Sequence, residues 1–143
     1  MRSVPLLHRF TIAYAATLGV FLALDAVWLT TMAQRLYKPA IGHLMRDGFA
    51  WAPALAFYLL YVLGLVVFAV LPGRASGRAA VAAWRGALFG LIAYATYDLT
   101  NQATLRDWPW AVTLADLCWG AAASAVAAGI ACRLTLWMSA KRA

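Results

Sequence analysis

The chain contains no glutamate and few charges of any kind. Only 12% of its 143 residues are charged, against about a quarter in a soluble domain, too few to cover a globule with polar surface. Disorder is excluded as well, because a disordered chain needs many charges and few apolar residues. Twelve Lys and Arg against five Asp leave a net charge of +7. These basic residues are thinly spread between long apolar runs, which argues against a nucleic-acid partner. Cysteine is nearly absent, and Cys118 and Cys132 fall on one predicted helix, about 21 Å apart by helical rise and beyond disulfide reach. The chain has no metal-type cysteine spacing, intraspan histidine pair for haem, nucleophile elbow, H-E-x-x-H helix or nucleotide-binding phosphate loop. What it has is apolar residues, 65% of the total, with a mean hydropathy of +0.75. It reads as an integral membrane protein.

Four apolar runs are each long enough to cross a hydrocarbon core of about 30 Å, which takes about 20 helical residues. They extend from about Thr11 to Met32, Trp51 to Leu71, Trp84 to Thr104 and Pro109 to Leu134 (11–32, 51–71, 84–104 and 109–134). Continuous rather than alternating apolarity selects helices over barrel strands. The expected fold is all-α, one membrane domain over residues 1–143 forming a four-helix bundle. Pro39, Gly42 and Gly48 are expected to break the first connection, and Pro72-Gly73 with Ser76-Gly77 the second. Arg106-Asp107-Trp108-Pro109 makes a tight third turn, with Pro109 in the first turn of the next helix. Trp51, Trp84, Trp108, Trp110 and Trp137 fall near span ends, where indole prefers the headgroup region.

Arg2 and Arg9 ahead of an apolar run are also the opening of a secretion signal. Asp25 and Trp28 interrupt the end of that run, so it reads as the first membrane helix. With both termini cytoplasmic, the inner side collects Arg2, Arg9, Arg74, Arg78, Arg85, Arg133, Lys141 and Arg142, and the outer side Arg35, Lys38, Arg46 and Arg106. Eight against four favours that orientation by the positive-inside rule.

The five acids are Asp25, Asp47, Asp98, Asp107 and Asp116. Asp47 and Asp107 fall in loops. The other three lie inside spans, where a carboxylate costs about 2.5–3.5 kcal/mol on insertion scales and marks a functional site by default. Helical rise puts Asp25 and Asp98 each about 21 Å from the inner boundary, and Asp116 about 20 Å from it. All three share one level, in the outer half of the bilayer. Each also sits on a stripe at helical spacing. Tyr94, Tyr97, Asp98, Asn101 and Thr104 share a face of the third span. Phe21, Asp25, Trp28 and Met32 do so on the first, and Thr113, Asp116, Trp119 and Gly120 on the fourth. The second span adds Tyr58 and Tyr61. Turned inward, these stripes would line an outer-facing pocket of carboxyls and aromatics. Three ionised carboxylates cannot share it unaided, so some stay protonated or a cation sits among them. Tyr58, Tyr61, Tyr94, Tyr97 and Asn101 could donate hydrogen bonds, and Arg35, Arg46 or Arg106 could fold down from the rim. His43, in Ile41-Gly42-His43-Leu44, is expected above the pocket as a base or ligand; His8 is expected to be inert.

Small residues point to close packing. Gly86-Ala-Leu-Phe-Gly90 on the third span and the Gly120, Ser124, Ala128 stripe on the fourth let helix backbones approach, and packing within one chain is expected. Gly73-Arg-Ala-Ser-Gly77 has the same spacing but lies in a basic loop, whose arginines would meet anionic headgroups.

The strings Ala23-Leu24-Asp25-Ala26-Val27-Trp28-Leu29, Ile41-Gly42-His43-Leu44, Phe57-Tyr58-Leu59-Leu60-Tyr61 and Tyr97-Asp98-Leu99-Thr100-Asn101-Gln102-Ala103-Thr104, the last followed by Trp108-Pro109, carry a resemblance. The chain resembles a bacterial family of small four-helix inner-membrane proteins, domain of unknown function 2177, from Tyr14 to about Gly129. The resemblance implies four spans and a bacterial inner-membrane location, and no activity. The porphyrin-binding tryptophan-rich sensory proteins differ in having five spans, and their motifs are not matched.

Three readings follow from the residues. In the first, the pocket binds or translocates a cation or small amphiphilic ligand, with Asp25, Asp98 and Asp116 supplying charge and Trp28, Tyr94, Tyr97 and Trp119 aromatic faces. In the second, a membrane-embedded enzyme acts on a lipid or isoprenoid, with Asp98 and Asp116 as acid and base and His43 as proton carrier. A divalent cation such as Mg²⁺, Mn²⁺ or Ca²⁺ on Asp25, Asp98 and Asp116 would suit that chemistry. In the third, the chain is an accessory subunit and its aspartates glue helices together. Membrane lipids are the expected partners in all three, and the oligomeric state stays open.

Overall fold

The computed structural model describes residues 6–141, so Arg2 and Arg142 of the charge count lie outside the described residues. Among the described residues all regular structure is helical. Four continuous helical stretches are long and apolar enough to cross a membrane: Leu7–Leu44, Trp51–Ala75, Ala79–Thr104 and Trp110–Ala140. With the 45–50 and 105–109 connections at the top, the 76–78 turn lies at the bottom.

The first two spans run further than their Pro and Gly residues led us to expect. In the first, an α-helix over Leu6–Met32 passes into a π-helical turn, Ala33–Tyr37, then a short α-turn, Lys38–Ile41, and a 3-10 turn, Gly42–Leu44. Pro39 does not break the helix, because it sits in the first turn of Lys38–Ile41, where the missing N–H is tolerated. The chain leaves the helix only at 45–50, where Gly48 adopts φ 85°, a left-handed conformation that glycine takes without strain. The second span likewise passes from Trp51–Leu65 through a π-helical turn, Val66–Val70, to Leu71–Ala75. Pro72 lies within it. Having no N–H, Pro72 leaves the Phe68 carbonyl four residues earlier without its α-helical donor. Arg85 Nε of the third span donates to that carbonyl at 2.7 Å. The helix ends one turn later. Arg78 N–H donates to the Gly73 carbonyl and Gly77 N–H to that of Arg74, with Gly77 at φ 68°, a Schellman closure.

The third and fourth spans are uninterrupted α-helices. They approach closely where Gly86 and Gly90 of the third span face Gly120, Ser124 and Ala128 of the fourth. A Cβ at Gly86 would stand 2.5 Å from the Ser124 carbonyl oxygen and 2.9 Å from Ala128 Cβ, and one at Gly90 would overlap the Gly120 carbonyl oxygen. The GxxxG therefore works within the chain, against the small-residue stripe of the fourth span. Gly73 also belongs to this packing, being buried in a helix against Ala82 rather than placed in a loop. Phe21, Val62, Leu65 and Val66 fill the centre with no exposed surface. Leu60, Phe68 and Ile92 project outward, as suits a bundle bathed in acyl chains.

Trp51, Trp84, Trp110 and Trp137 are exposed near span ends. Trp108 is not, contrary to expectation: it keeps only 6% of its surface. Its indole donates to Thr113 Oγ1 at 3.1 Å, Thr113 donates to Gln102 Oε1 at 3.0 Å, and Gln102 Nε2 donates to the Trp108 carbonyl at 2.9 Å. The indole N–H is satisfied inside the top turn, so Trp108 staples the third span to the fourth instead of anchoring in headgroups.

Candidate functional site

Two adjoining cavities open in the upper half of the bundle. One, of about 290 Å³, lies among the second, third and fourth spans and is lined by Tyr61, Tyr94, Tyr97, Asp98 and Asp116 with Phe57. The other, of about 270 Å³, involves the first span and is lined by Asp25, Trp28, Tyr37, Tyr58 and Trp119 among others. Phe57 and Tyr94 line both and so form the wall between them.

Two hydrogen-bonded clusters, joined by a ring stack, surround the second cavity. Asp25 accepts from the Tyr58 hydroxyl at Oδ2 and from Trp119 Nε1 at Oδ1, 3.3 Å away. Asp116 Oδ1 accepts from the Tyr37 hydroxyl, which accepts in turn from Trp28 Nε1 at 2.8 Å. Trp28 and Trp119 stack with centroids 4.4 Å apart and planes 9° from parallel. The two aspartates thus join the first span to the second and the fourth. Beneath them, Tyr61 and Ser124 hydroxyls lie 2.6 Å apart, and Phe21 packs on Tyr61 at 4.9 Å.

Asp98 is different. Its residue surface is 0% exposed, and neither carboxylate oxygen meets a hydrogen-bond partner. It faces a cavity whose other polar groups are Asp116 and tyrosines. Buried polar groups are almost always satisfied, and an orphaned one calls for an explanation. A cationic or N–H-bearing group entering the cavity would meet this carboxylate, with aromatic faces around it suited to a cation.

The model of a family described as a predicted membrane protein, DUF2177, matches residues 10–133. The chain belongs to that family. The match contains both cavities and every aspartate in them, and it bears out the resemblance carried by the Tyr97-Asp98-Leu99-Thr100-Asn101 string. No curated protein and no solved structure matches the chain.

The fold of this DUF2177 member brings most of the expected residues together, but not around one centre. Asp98, Asp116, Tyr61, Tyr94 and Tyr97 share one cavity, and Asp25, Trp28, Tyr58 and Trp119 the other. Tyr97 is a rim residue, 60% exposed, with its ring edge-on to Trp108 at 5.8 Å. Asn101 is half-buried and lines neither cavity. His43 is exposed on the Gly42–Leu44 turn and also lines neither, because the first span continues past Met32 and carries it beyond the rim. Arg35, Arg46 and Arg106 supply none of the donors to Asp25 and Asp116, which come from tyrosine and tryptophan. The joint metal set of Asp25, Asp98 and Asp116 is not assembled: among the described residues no three His, Cys, Asp or Glu are grouped to hold an ion. Tyr94 and Phe57 wall Asp25 off from Asp98.

Tyr37 and Phe57 were not anticipated. Tyr37 follows Trp28 by nine residues, about two and a half α-helical turns and so the opposite face. The π-turn over Ala33–Tyr37 changes that rotation and brings the hydroxyl back to Trp28 and Asp116. The available signal was negative: no Gly or Pro follows Met32 until Pro39. Phe57 was legible, since it precedes Tyr61 by one helical turn on the same stripe.

Proposed function

We propose that this membrane protein binds a small organic cation, or an amphiphile with a cationic head, in the cavity between Asp98 and Asp116. The observation that carries the reading is the Asp98 carboxylate, fully buried and without a hydrogen-bond partner on an aromatic cavity wall. The glue reading accounts for Asp25 and Asp116, which hold neighbouring helices through Tyr58, Trp119 and Tyr37. It does not account for Asp98. A cation bound there would sit against Asp98, with Tyr61, Tyr94 and Phe57 offering ring faces. Asp25, Trp28, Tyr58 and Trp119 would form the far wall that holds Tyr94 and Tyr37 in place. Translocation would be an extension of the same site, with Asp98 releasing a proton as the ligand arrives.

The orientation that fits is both termini cytoplasmic, supported by the eight-to-four division of Lys and Arg. In that orientation both cavities would lie in the outer half of a bacterial inner membrane. A second reading, an enzyme acting on a lipid or isoprenoid, draws support from one observation. Asp98 and Asp116 share a cavity but differ in surroundings, one bare and one hydrogen-bonded, as an acid–base pair requires.

The test is calorimetric titration of the purified chain in detergent with hexylammonium and with uncharged hexanol. Hexylammonium is expected to bind, hexanol to bind at least about tenfold more weakly, and Asp98→Asn to remove about the same factor, the scale of one charge-assisted hydrogen bond. Equal binding of the two probes, or unchanged binding to Asp98→Asn, overturns the cation site.

A further inference from the structure

A third cavity lies on the outside of the bundle, toward the bottom end. It measures about 250 Å³ and is lined by Phe68, Trp84, Arg85, Leu88, Phe89 and Ile92. Its floor is the Phe68–Phe89 pair, stacked at 6.0 Å with planes 22° apart. Phe89 can tuck inward because Gly64 has no side chain: a Cβ there would lie 2.6 Å from the Phe89 ring. Leu88 and Ile92 form an apolar side wall and are both well exposed. From Arg85 to Ile92 the groove runs about 10 Å along the third span.

Arg85 closes the bottom of this groove, six residues into its helix and so about 9 Å from the helix start. Its Nε is committed to the Phe68 carbonyl at 2.7 Å, the carbonyl that Pro72 leaves without its α-helical donor. That bond holds the guanidinium, with the Trp84 ring 5.7 Å from its carbon, and does not engage the two terminal nitrogens. Among the described residues no acidic side chain is paired with them. The chain has five acids and no Glu; Asp25, Asp98 and Asp116 are spent in the upper cavities, and Asp47 and Asp107 belong to the top connections. Arg74, Arg78 and Arg85 therefore meet no acidic side chain at the bottom end.

We infer that this groove is a binding site for one anionic phospholipid, its phosphate held by the terminal nitrogens of Arg85 and an acyl chain lying over Phe68, Phe89 and Ile92. A guanidinium fixed at Nε presents the planar fork that grips a phosphate with two parallel hydrogen bonds. Trp84 supplies an indole at headgroup level. The site is separate from Asp98 and does not depend on the cation-binding reading.

Native mass spectrometry of the full chain in detergent, supplied with equal dioleoylphosphatidylglycerol and dioleoylphosphatidylcholine, tests it. The decisive variant is Arg85→Gln. Glutamine has the same number of atoms up to its side-chain nitrogen, so Nε2 can still donate to the Phe68 carbonyl while the charge and the fork are gone. The native chain is expected to retain the anionic lipid about fivefold over the zwitterionic one, the scale of one basic side chain at a membrane surface. Arg85→Gln should retain the two alike at an unchanged melting temperature. Leu88→Trp, which fills the groove and leaves Arg85 in place, should lose the retained lipid. No preference in the native chain overturns the site. So does a preference that survives Arg85→Gln, which would belong to the basic end at large. A native dimer that Leu88→Trp dissociates would also overturn it, making a second copy the occupant.

Discussion

Three chemically identical residues in one bundle should respond to the same substitution with opposite signs. Asp98→Leu is expected to stabilise the protein, whereas Asp25→Leu and Asp116→Leu should destabilise it. Asp98 accepts no hydrogen bond, so removing it forfeits no contact and relieves the penalty of a polar group buried in hydrocarbon, about 2.5–3.5 kcal/mol on insertion scales. Leucine is larger than aspartate, but its extra volume falls in a cavity of about 290 Å³. Allowing for imperfect packing, a gain of about 2 kcal/mol remains. Asp25 carries the same burial penalty, but its loss strands two donors, the Tyr58 hydroxyl and Trp119 Nε1, at about 1–3 kcal/mol each; set against the same relief, a net cost of about 1 kcal/mol remains. Thermal unfolding of the purified variants, followed by the fluorescence of the seven tryptophans, reads both. At roughly 2–4 °C per kcal/mol for a chain of this size, Asp98→Leu should melt about 4–8 °C higher and Asp25→Leu about 2–4 °C lower. If Asp98→Leu melts as low as Asp25→Leu, Asp98 has donors of its own and the argument for a site fails.

Other expectations follow from single contacts. Tyr37→Phe removes both the donor to Asp116 and the acceptor for Trp28; it should lower stability by about 1 kcal/mol, read by the same melting curves. Gly86→Ala drives a methyl against the Ser124 carbonyl oxygen and Ala128 and should cost about 1–3 kcal/mol. Gly19→Ala, with nothing within 4 Å, should be neutral or gain up to about 1 kcal/mol from helix propensity. For the proposed orientation, a membrane-impermeant maleimide should label Asp47→Cys in intact cells and Ser76→Cys only after permeabilisation; the reverse pattern would invert the topology.

The architecture was legible because its signals are additive along the chain. Twenty-odd apolar residues make a span whatever the neighbours do, and three aspartates among so few charges mark one region of the bundle. The contact of Gly86 and Gly90 with the fourth span was also readable, since glycines four apart open a helix face. What escaped depended on departures from ideal geometry. Tyr37 is invisible to α-helical spacing because a π-turn alters its rotation. Pro39 and Pro72 were read as breaks, yet one falls in a first turn and the other has its orphaned carbonyl served by Arg85. Trp108 looked like four other interfacial tryptophans, and only Gln102 and Thr113 together explain why it is buried. The separation of Asp25 from Asp98 turns on where the Tyr94 and Phe57 rings lie, which residue spacing does not encode.

The two π-turns have a mechanical corollary. Both occur in the first two spans, at Ala33–Tyr37 and Val66–Val70, while the third and fourth are α-helical from end to end. The latter pair is seated backbone against backbone, with Gly90 under the Gly120 carbonyl, and such a joint has almost no travel. The bundle is therefore built as a stiff mast and a compliant sail. The mast carries Asp98, Asp116 and Tyr94; the sail, tied to it by side-chain hydroxyls and stacked rings, carries Asp25, Tyr37 and Phe57. If the proposed cation enters between them, the sail is the part expected to move.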